Sequence, residues 1–478
     1  MEMDLKDFNN IFLSIIKMSR VNEKIFQLDE PNYVSYNRKK QDFIKIAPTT
    51  GTANNLNQGG NVISFEVNNQ ANFLYLPESF IYCEFQFSNE AGIAFPGNIT
   101  LEHNWFPRVF DDMRLEIGSQ QLEIINEPGE FDTILKFLIR GRDYANANIE
   151  GWIPDTGTGN SVANINPIPN NANDDIRLQG VQSSVARLNI HNLNTGYLKR
   201  KEFYNNENGV ANRHGSRIKW PLSPLFGYLD HNKISVNLPI KLSLKRKAND
   251  TSIFFGVHGE NAKLEFTKIE FWIPNIQPSL EIETEILKRL NSNKDIKINF
   301  LKRNTFVNTI IQQEYIWHIS NVNNTPRFLF VVFKPMGLNQ AFDVNNSLYT
   351  SFKTAGEGVA NDIQLTDLQV RLNQTRYPLD PVKQNPEHFN IFESYNSYEE
   401  VCKIFGSEPQ LNPIDFRNLY PIYCFDLSSQ DENLVKNGIN IQLYIKKTSA
   451  EPLTAYCLIL EDTSHVIKLI NGRMTRIE

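Results

Sequence analysis

Cysteine is scarce in this sequence: only four of its 478 residues are cysteines, and no two of them form a C-x-x-C pair. Zinc ribbons and thioredoxin-like redox motifs depend on such pairs, so both classes are excluded. The four residues are Cys83, Cys402, Cys424 and Cys457, which are far apart along the chain. So few cysteines in a long chain are typical of a protein that is assembled in a reducing compartment.

Long apolar runs are also missing. The apolar runs RFLFVVF and AYCLIL have the length of strands, whereas a membrane-spanning helix needs about 18 apolar residues or more. The start of the chain, MEMDLKDFNNIFLSIIKMSR, carries acids where a secretory signal has a basic region, and its apolar stretch is short. We therefore expect neither a membrane span nor a secretory address, with Met18 as an alternative start to Met1.

Motifs that carry catalysis or hold cofactors are absent as well. The sequence has no G-x-S-x-G, H-E-x-x-H, P-loop or G-x-G-x-x-G pattern. Its eight histidines are scattered, and none stands four residues from another, the spacing that places two metal ligands on one helical face. We therefore expect no enzymatic activity, no cofactor and no metal ion.

The balance of charges does not indicate a particular class of partner. The chain has 48 Lys and Arg against 54 Asp and Glu, a net charge of −6, which does not indicate a dedicated nucleic-acid binder. Apolar residues make up 41% and aromatic residues 11%, which is typical of a globular chain with β-rich packing. We interpret the basic segments at 198–203 and 244–247 as solvated strand ends.

The most informative stretch that is present runs from Trp105 to Arg140 and predicts a hairpin followed by a helix. Apolar residues recur mostly at intervals of two before a Gly118-Ser119 pair that suits a two-residue hairpin turn. A return strand follows and ends at Pro128-Gly129. The apolar residues after this break have the spacing of one helical face, and they are Phe131, Ile134, Leu135 and Leu138.

The same order of elements recurs about 255 residues later. The segment LQVRLNQTRYPLD predicts a second strand pair, and FNIFESYNSYEEVCKIF between Phe389 and Phe405 has helical apolar spacing. Many short strands separated by turn signals are typical of β-sandwiches, and two similar units with long loops favour tandem jelly rolls. We predict an all-β fold of two tandem jelly-roll sandwiches with short inserted helices.

The predicted organisation has three parts. Residues 1–57 form an N-terminal arm in which Ile11, Ile15 and Ile16 lie on one helical face, residues 58–278 form the first jelly roll, and residues 279–478 form the second jelly roll with a connector at 279–295. We expect the arm to reach a neighbouring subunit, with a frayed terminus as the alternative. The Asn-, Gly- and Pro-rich stretch at 145–180 is a long loop.

From about residue 60 to its end, the chain resembles the double jelly-roll major capsid proteins of Polinton/Maverick and adintovirus-like DNA viruses, distant relatives of adenovirus hexon. The stretches that carry the resemblance keep their order and spacing. In the first half they are WFPRVFDDMRLEIGSQQLEIINEPGEFDTILKFLI, TGYLKRKEFY and WPLSPLFGYLDHNKISVNLPIKLSLKR. In the second half they are LQVRLNQTRYPLD with its aromatic helix, YPIYCFDLS and NGINIQLYIKK.

The resemblance implies a structural protein whose activity is self-assembly. Such a chain forms a homotrimeric capsomer of pseudo-hexagonal outline, which tiles an icosahedral shell. The implied partners are copies of the chain itself, penton or minor capsid proteins, and packaged DNA through non-specific contacts. The implied location is the virion, after assembly inside the host cell.

Two sets of residues are candidates for contacts in such a shell. Trp105, Trp152 and Trp220 are candidate anchors at subunit contacts, where tryptophan is enriched, and burial inside a sandwich is the open alternative. Asp111 and Asp112 are adjacent in a predicted strand, so we expect them to face opposite sides and to flank a sheet edge or a trimer contact.

The basic residues Arg38, Lys39 and Lys40 lie in the predicted arm. An arm on the inside of a shell would turn them toward the lumen, where contact with DNA phosphates is independent of sequence. The alternative is a solvated basic segment.

Three alternatives are considered at the level of sequence. A carbohydrate-binding or glycan-processing protein on a double β-sandwich would need acids and aromatic residues gathered in one cleft. A host-domesticated copy of the capsid gene would have the same fold, and a vertex or minor capsid protein would normally have one jelly roll rather than two.

Overall fold

The computed structural model describes residues 38–49, 56–68, 73–89, 99–142, 144, 148–157, 194–204, 215–231, 233–236, 238–256, 262–322, 324–336, 345–355, 359–429, 438–470 and 473–477. These residues fold mainly into antiparallel β-sheet. Most of the predicted loop at 145–180, and the part of the predicted arm before Arg38, lie outside them.

The first half forms two main sheets. Its strands are β1 (Arg38–Ile46), β2 (Val62–Val67), β3 (Phe73–Leu74), β4 (Phe80–Asn89), β5 (Ile99–Leu101), β6 (Phe110–Ile117), β7 (Gln120–Asn126), β8 (Gly215–Pro221), β9 (Ser235–Val236), β10 (Ile240–Arg246), β11 (Phe254–Gly256) and β12 (Ala262–Pro278). One sheet runs β1-β12-β4-β8, with the short strands β3 and β9 beside it, and the other runs β2-β10-β6-β7. β5 and β11 pair separately.

The second half repeats this arrangement. Its strands are β13 (Ile296–Ile310), β14 (Glu314–Val322), β15 (Pro326–Pro335), β16 (Phe352–Lys353), β17 (Ile363–Leu372), β18 (Thr375–Lys383), β19 (Tyr423–Asp426), β20 (Ile439–Lys447), β21 (Leu453–Ile470) and β22 (Arg473–Ile477). One sheet runs β13-β21-β15-β19, with β22 paired to β21, and the other runs β14-β20-β17-β18, with the short β16 also paired to β17.

The two halves share one topology. Apart from the strands of two or three residues and the C-terminal β22, the described residues of each half form eight strands, and numbering them one to eight along the chain gives the neighbour orders 1-8-3-6 and 2-7-4-5 in both. This arrangement of two four-stranded sheets is a jelly roll. The prediction of two tandem jelly rolls is therefore confirmed.

Helices are inserted among the strands, and two of them stand at matching places in the two halves. They are α1 (Trp105–Arg108), α2 (Pro128–Ile139), α3 (Thr195–Tyr204), α4 (Leu280–Asn291), α5 (Phe392–Ile404) and α6 (Pro413–Asn418). α2 follows the β6–β7 hairpin and α5 follows the β17–β18 hairpin, as the sequence predicts. Among the helices of the described residues, none combines the length and apolar character needed to cross a bilayer.

The hairpin before α2 has the predicted two-residue turn. Ile117 pairs with Gln120, and Gly118 and Ser119 both have positive φ, at 61° and 66°. Two positive φ angles define a type I′ turn, whose twist matches that of the flanking strands. Glycine at the first position and a small residue at the second therefore fix the hairpin locally.

The sheet β13-β21-β15-β19 is buried on both of its faces. On β15, Leu329, Val331 and Phe333 pack into the interior of the second jelly roll. The alternate residues Phe328, Phe330 and Val332 belong to a core shared with the first jelly roll. Because successive strand residues point to opposite faces, burial of both faces requires the continuous apolar run that this strand has.

Part of the predicted arm belongs to the first jelly roll. Residues 38–46, inside the predicted range 1–57, form β1, which pairs with β12 from Ile46–Phe271 to Arg38–Pro278. β1 occupies the same place in the first jelly roll as β13 does in the second. Its charged, mostly exposed residues are those of an edge strand, which is why the sequence resembled a linker.

Candidate functional site: a buried polar junction between the jelly rolls

Charged and polar side chains are buried where the two jelly rolls meet. The first jelly roll supplies them from the residues after β5, from α1, α2 and α3, and from the loop that contains Asp155. The second supplies them from β15, from the loop that follows it and from the residues before β19. Each of these residues is at most 5% exposed. We call this cluster the junction, and its members are Glu102, His103, Arg108, Glu130, Asp155, Arg200, Lys334, Tyr349 and Tyr420.

Glu130, in the first turn of α2, joins the two halves through two cations. Arg108 Nη1 donates to Glu130 Oε1 at 2.5 Å, and Lys334 Nζ of the second jelly roll donates to the same oxygen. Burial alone would raise the pKa of Glu130, but Arg108 and Lys334 together hold it at about 2. Burial lowers the pKa of Lys334 to about 8, because this lysine shares its one carboxylate partner with Arg108.

Asp155 forms a second bridge between the halves. Its Oδ1 accepts hydrogen bonds from Arg200 Nη2 and Asn194 Nδ2, both at 2.7 Å. Its Oδ2 accepts from Ser347 Oγ at 3.0 Å and from Tyr420 OH at 3.1 Å, which belong to the second jelly roll. Burial opposes ionisation, but Arg200 and these donors keep the pKa of Asp155 below its ordinary value.

The buried carboxylate of Glu102 has fewer hydrogen-bond partners than those of Glu130 and Asp155. Its Oε1 accepts the backbone N–H of Asn346 at 2.8 Å, whereas its Oε2 has no hydrogen-bond partner among the described residues. Burial, reinforced by the charge of Asp155, raises the pKa of Glu102 to about 7. Beside it, burial lowers the pKa of His103 well below its ordinary value, so the ring is neutral and packs edge-on against Trp152 with centroids 4.4 Å apart.

The inserted helices also meet across the halves. Tyr398 OH on α5 donates to the carbonyl oxygen of Phe137 on α2 at 3.2 Å. Trp152 Nε1 donates to Gln410 Oε1 at 3.0 Å, and the Gln410 amide donates in turn to two carbonyl oxygens near the end of α2. Each helix therefore packs against the other jelly roll as well as its own.

A separate contact lies along β7. Glu123 Oε1 accepts the backbone N–H groups of Gly227 at 3.0 Å and of Arg303, on β13, at 2.9 Å. Its Oε2 accepts the backbone N–H of Tyr228 at 3.0 Å. One buried carboxylate thus holds the outer strand of the first jelly roll against the first strand of the second.

The junction holds the two jelly rolls in one relative orientation. Apart from Glu102, its buried carboxylates meet partners of opposite charge. An arrangement of this kind specifies geometry because any other pairing leaves a buried charge unpaired. Within the described part of the chain, no three His, Cys, Asp or Glu side chains lie close enough together to hold a metal ion.

The three tryptophans predicted as subunit contacts are fully buried inside this chain. The Trp105 ring packs against Phe85 with centroids 4.7 Å apart, and Trp220 Nε1 donates to Asp132 Oδ2 at 3.3 Å. Trp152 lies at the junction. The prediction of a subunit contact is therefore wrong for all three tryptophans. Their large apolar rings pack inside the chain, which is the alternative that the sequence left open.

Asp111 and Asp112 do not face opposite sides as expected. Lys245 Nζ lies 2.5 Å from Asp111 Oδ2 and 3.7 Å from Asp112 Oδ2. The pairing of β6 with β10 shifts here, so that Arg246 pairs with Phe110 while Lys245 pairs with Asp112. Such a bulge places two residues opposite one and turns both carboxylates to the same lysine. Their role in a subunit contact stays a prediction.

Arg38, Lys39 and Lys40 lie at the start of β1. Lys40 is exposed and forms an ion pair with Asp42 two residues further along the strand. A lumen-facing position for these residues stays a prediction.

Each of the other two basic segments has at least one cation paired with a carboxylate of the same chain. Residues 198–203 lie in α3 rather than at a strand end, and Arg200 is buried against Asp155. At the end of β10, Lys247 Nζ lies 2.6 Å from Glu127 Oε2. The interpretation of the first segment as a solvated strand end is wrong, because its central arginine is needed inside.

The sequence reasoning missed the junction. Glu130 stands at the start of the mainly apolar segment EFDTILKFLI, and Lys334 stands near the end of RFLFVVFKP. A charge in such a position is a signal of a buried pair, but the partner is more than 200 residues away. The pairing itself is therefore not readable from the sequence.

A family model described as a double jelly roll-like domain matches residues 181–466, more than half of the chain. No curated protein matches the chain significantly in sequence.

Solved structures with this fold are similar over nearly the whole chain. A chain of the Sputnik virophage has a TM-score of 0.58 at 12% identity, over 95% of this chain and 90% of that one. The Faustovirus major capsid protein has a TM-score of 0.53 at 10% identity, over 98% of both chains. PBCV-1 VP54, fitted into a reconstruction of Sputnik, has a TM-score of 0.50 at 12% identity, over 94% of this chain and 98% of that one.

Proposed function

This chain belongs to the double jelly roll-like domain family, and from that premise we propose that it is the major capsid protein of a DNA virus. It trimerises into pseudo-hexagonal capsomers that tile an icosahedral shell. The motifs named above favour the lineage of Polinton/Maverick and adintovirus-like viruses. Its site of action is the virion, and it has no enzymatic activity.

One observation carries the proposal: a surface that is covered in the second jelly roll is left uncovered in the first by the residues that the structure describes. The outward face of β13-β21-β15-β19 is buried against the first jelly roll of the same chain. Phe131 on α2 takes part in this contact, with its ring centroid 6.4 Å from that of Tyr456 on β21. β7 lies beside β13 in the same contact.

The equivalent face of the first jelly roll, on β1-β12-β4-β8, carries an aromatic cluster. Trp272 on β12 lies 5.2 to 5.9 Å, between ring centroids, from Tyr82, Phe80 and Phe43. Phe43 is 43% exposed, and Tyr82 and Trp272 are half-buried. Exposed aromatic clusters of this kind are typical of contact surfaces between proteins.

The matching surface lies on the second jelly roll. β18 corresponds to β7, and α5 corresponds to α2. Leu379 on β18 is 78% exposed and Phe392, the first residue of α5, is 76% exposed, whereas Phe131 in the first turn of α2 is fully buried. Apolar residues are therefore uncovered where their counterparts in the first half are covered.

The contact that joins the two halves within one chain can form again between two chains. It then covers both the aromatic cluster and the β18–α5 surface. The β18–α5 surface of one copy then packs against the aromatic cluster of the next. A head-to-tail contact of this kind makes a closed ring when its rotation closes, and closure after three copies makes a ring of six similar jelly rolls. This is the pseudo-hexagonal trimer.

Two variants test the head-to-tail contact. Trp272→Asp damages one surface and Phe392→Asp damages the other, and each leaves the opposite surface intact. We expect each variant alone to sediment as a monomer, because an unpaired charge at an interface core costs several kcal/mol. Ile311→Asp is the matched control, since Ile311 is 61% exposed in the turn between β13 and β14.

Mixing the two variants gives the sharper result. A Trp272→Asp chain retains an intact β18–α5 surface and a Phe392→Asp chain retains an intact aromatic cluster, so the mixture should form one-to-one dimers and no trimers. Trimers from either variant alone, or no dimer from the mixture of folded variants, would contradict the proposed contact.

The aromatic cluster also favours a second candidate function, the binding of a carbohydrate. Tyr82 and Trp272 lie beside Glu84 and Glu270, which accept hydrogen bonds from them at 2.6 and 2.9 Å. Lys268 Nζ lies 3.0 Å from Glu270, so this acid is paired with a cation rather than free for catalysis. Saccharide binding that Trp272→Asp abolishes, by a chain that is a monomer, would favour this alternative.

Contacts of the assembled shell with penton or minor capsid proteins and with packaged DNA are part of the proposal. We assign DNA contact to the basic residues at the start of β1, because Lys40 is exposed even in its pair with Asp42, whereas Arg200 is buried against Asp155. Its strength should fall steeply with salt concentration.

A further inference from the structure

A polar cavity of about 620 Å³ opens at one end of the second jelly roll. Four connections between strands surround it: the β13–β14 turn, β16 with the segment that leads from it to β17, the residues after β18, and the β20–β21 turn. A cavity of this size is typical of sites that bind small molecules. Among the residues that line it are Gln313, Phe352, Asp362, Gln364, Glu387 and Ser449.

Hydrogen bonds hold the polar groups around the cavity in place. Gln364 Oε1 accepts the backbone N–H of Glu387 at 3.1 Å, and the Gln313 amide donates to a backbone carbonyl oxygen of the β20–β21 turn at 3.2 Å. One carboxylate oxygen of Asp362 accepts the backbone N–H of Ala355 at 2.7 Å. These hydrogen bonds leave the Glu387 carboxylate and the second oxygen of Asp362 available to a ligand.

Ser449 adds a hydroxyl group without a partner. Its Oγ is buried and has no hydrogen-bond partner among the described residues, and the residue lines the cavity. A buried hydroxyl group that makes no hydrogen bond is unfavourable. A ligand in the cavity would supply the missing hydrogen bond, so this orphaned oxygen points to an occupant.

Phe352 gives the cavity an apolar wall. Its side chain is half-buried, and the guanidinium carbon of Arg417 lies 5.8 Å from the ring centroid. Arg417 donates its own hydrogen bonds to the backbone carbonyl oxygen of Pro386 at 2.5 Å and to the Asn418 side chain at 2.9 Å. This cation therefore supports the aromatic ring while its donors are occupied elsewhere.

The lining of the cavity suits an uncharged ligand that is rich in hydroxyl groups. Of the described residues that line it, two are acidic, none is basic, and most of the others carry an amide or a hydroxyl group. Such groups both donate and accept hydrogen bonds, as the hydroxyl groups of a sugar do, whereas the two acids repel an anion. The C–H face of a sugar ring can pack on the ring of Phe352.

The cavity lies at the end of the molecule opposite to the start of β1. β13 runs for 15 residues, about 45 Å, to the turn that borders the cavity. β7 lies beside β13, and its Glu123 accepts the backbone N–H of Arg303. Further along both strands, Asn126 donates its backbone N–H to Thr305, so the two strands run in the same direction. Because the jelly rolls share one topology, β1 therefore begins at the end where β13 begins.

We propose that this cavity binds an uncharged saccharide at the outer surface of the shell. Its outward position rests on the proposed capsid function, in which the basic residues at the start of β1 face the lumen, whereas its choice of ligand does not. A site of this kind attaches the particle to a surface that carries glycans. It is distinct from the aromatic cluster around Trp272, which belongs to the first jelly roll.

A glycan array tests the inference on the purified full-length chain. The array carries neutral glycans that end in galactose, glucose, mannose or N-acetylglucosamine, and it carries sialylated and sulfated glycans as anionic probes. We expect the chain to retain at least one neutral glycan and none of the anionic ones, because the acids of the cavity repel a negative charge.

Two variants locate the site by titration with the retained glycan. Glu387→Ala and Gln313→Ala should each weaken binding about tenfold or more, since each removes a hydrogen-bonding group from the cavity. Both residues are exposed, so both variants should fold. Gln312→Ala is the matched control for Gln313, because Gln312 is exposed in the same turn outside the cavity. Glu408→Ala, at an exposed acid outside the cavity, is the control for Glu387.

The outcomes decide whether the cavity is the site. Retention of a neutral glycan, weakened by the two cavity variants and not by their controls, supports the proposal. No retention of any neutral glycan, stronger retention of anionic glycans, or an equal loss in the controls would overturn it. Binding that Trp272→Asp abolishes and Glu387→Ala leaves intact would also overturn it, in favour of the aromatic cluster.

Failure of this inference can be told apart from failure of the capsid function. The cavity is lined by residues of one chain, so its binding can be measured on a trimer or on a monomer. A trimer that binds no neutral glycan contradicts this inference and leaves the capsid function standing. A monomer that binds one at the cavity contradicts the capsid function and supports the choice of ligand.

Discussion

Glu130 explains why the charged residues of the junction tolerate complete burial. One of its carboxylate oxygens receives both Arg108 and Lys334, and Tyr349 OH donates to its backbone carbonyl at 3.2 Å. Removing a charge from such a group leaves its partners buried without compensation, which costs far more than the intact pair contributes. The junction is therefore more important for specifying one arrangement of the jelly rolls than for raising their stability.

Glu130→Gln should lower the free energy of unfolding by about 3–5 kcal/mol, because it leaves two buried cations without their anion. Lys334→Met should cost less, since Glu130 then keeps Arg108. Thermal or denaturant unfolding of the purified variants measures both. Lys40→Met, which breaks the exposed pair with Asp42, is the control and should change little. Equal effects of Glu130→Gln and Lys40→Met would contradict a buried triad.

Glu102 should make stability depend on pH near neutrality. Its folded pKa of about 7 lies above the ordinary value, so the folded chain binds the extra proton and gains stability at low pH. That stability is lost as the pH rises from about 4.5 through 7. The loss reaches about 3 kcal/mol, since one pKa unit corresponds to about 1.4 kcal/mol.

Glu102→Gln should remove this contribution, because the amide does not titrate. Unfolding of both proteins at pH 5 and pH 8 measures it: the variant should gain relative stability at pH 8. An identical difference between variant and wild type at the two pH values would show that Glu102 does not titrate in this range.

At the scale of elements, local chemistry explains most of what the sequence predicted. The β6–β7 hairpin follows from Gly118-Ser119 and from alternating apolar residues, and α2 follows from the apolar spacing after Pro128. Both signals lie within about ten residues of the element that they specify. The second hairpin and α5 were predicted for the same reason.

The elements that were missed depend on distant contacts. β1 is a strand only because β12 pairs with it, more than 200 residues away. α3 keeps its place because Arg200 reaches Asp155, which comes before the undescribed stretch 158–193. Trp152 was assigned to a subunit contact because an aromatic residue gives the same signal at any interface, within a chain or between chains.

Close packing of two elements at Gly227 gives a prediction at this scale. Gly227 begins the short helical turn Gly227–Asp230, and a Cβ there would overlap the backbone carbonyl oxygen of Leu301 on β13. Gly227→Ala should therefore lower the free energy of unfolding by about 2 kcal/mol or more, because the backbone of one of the two elements must move to make room for the methyl group. Gly141→Ala is the control, since its nearest neighbour would be Glu408 N at 4.0 Å. Equal unfolding midpoints for the two variants would contradict the close contact.

At the scale of the whole molecule, the proposed trimer repeats between chains the contact that joins the two halves within one chain. The core shared by the two halves covers the outward face of β13-β21-β15-β19. The aromatic cluster around Trp272 and the exposed Phe392 are the two surfaces left over by that arrangement. The sequence predicted the duplication from the order of its hairpins and helices, but not which faces remain open, because this depends on how the halves pack.

The mass of the purified protein in solution tests the account most directly. Light scattering at micromolar concentration should give three times 55.1 kDa, and negative-stain images of the same sample should have hexagonal outlines. A monodisperse monomer of 55.1 kDa, with both surfaces intact, would contradict the account of this chain as a self-assembling capsid protein.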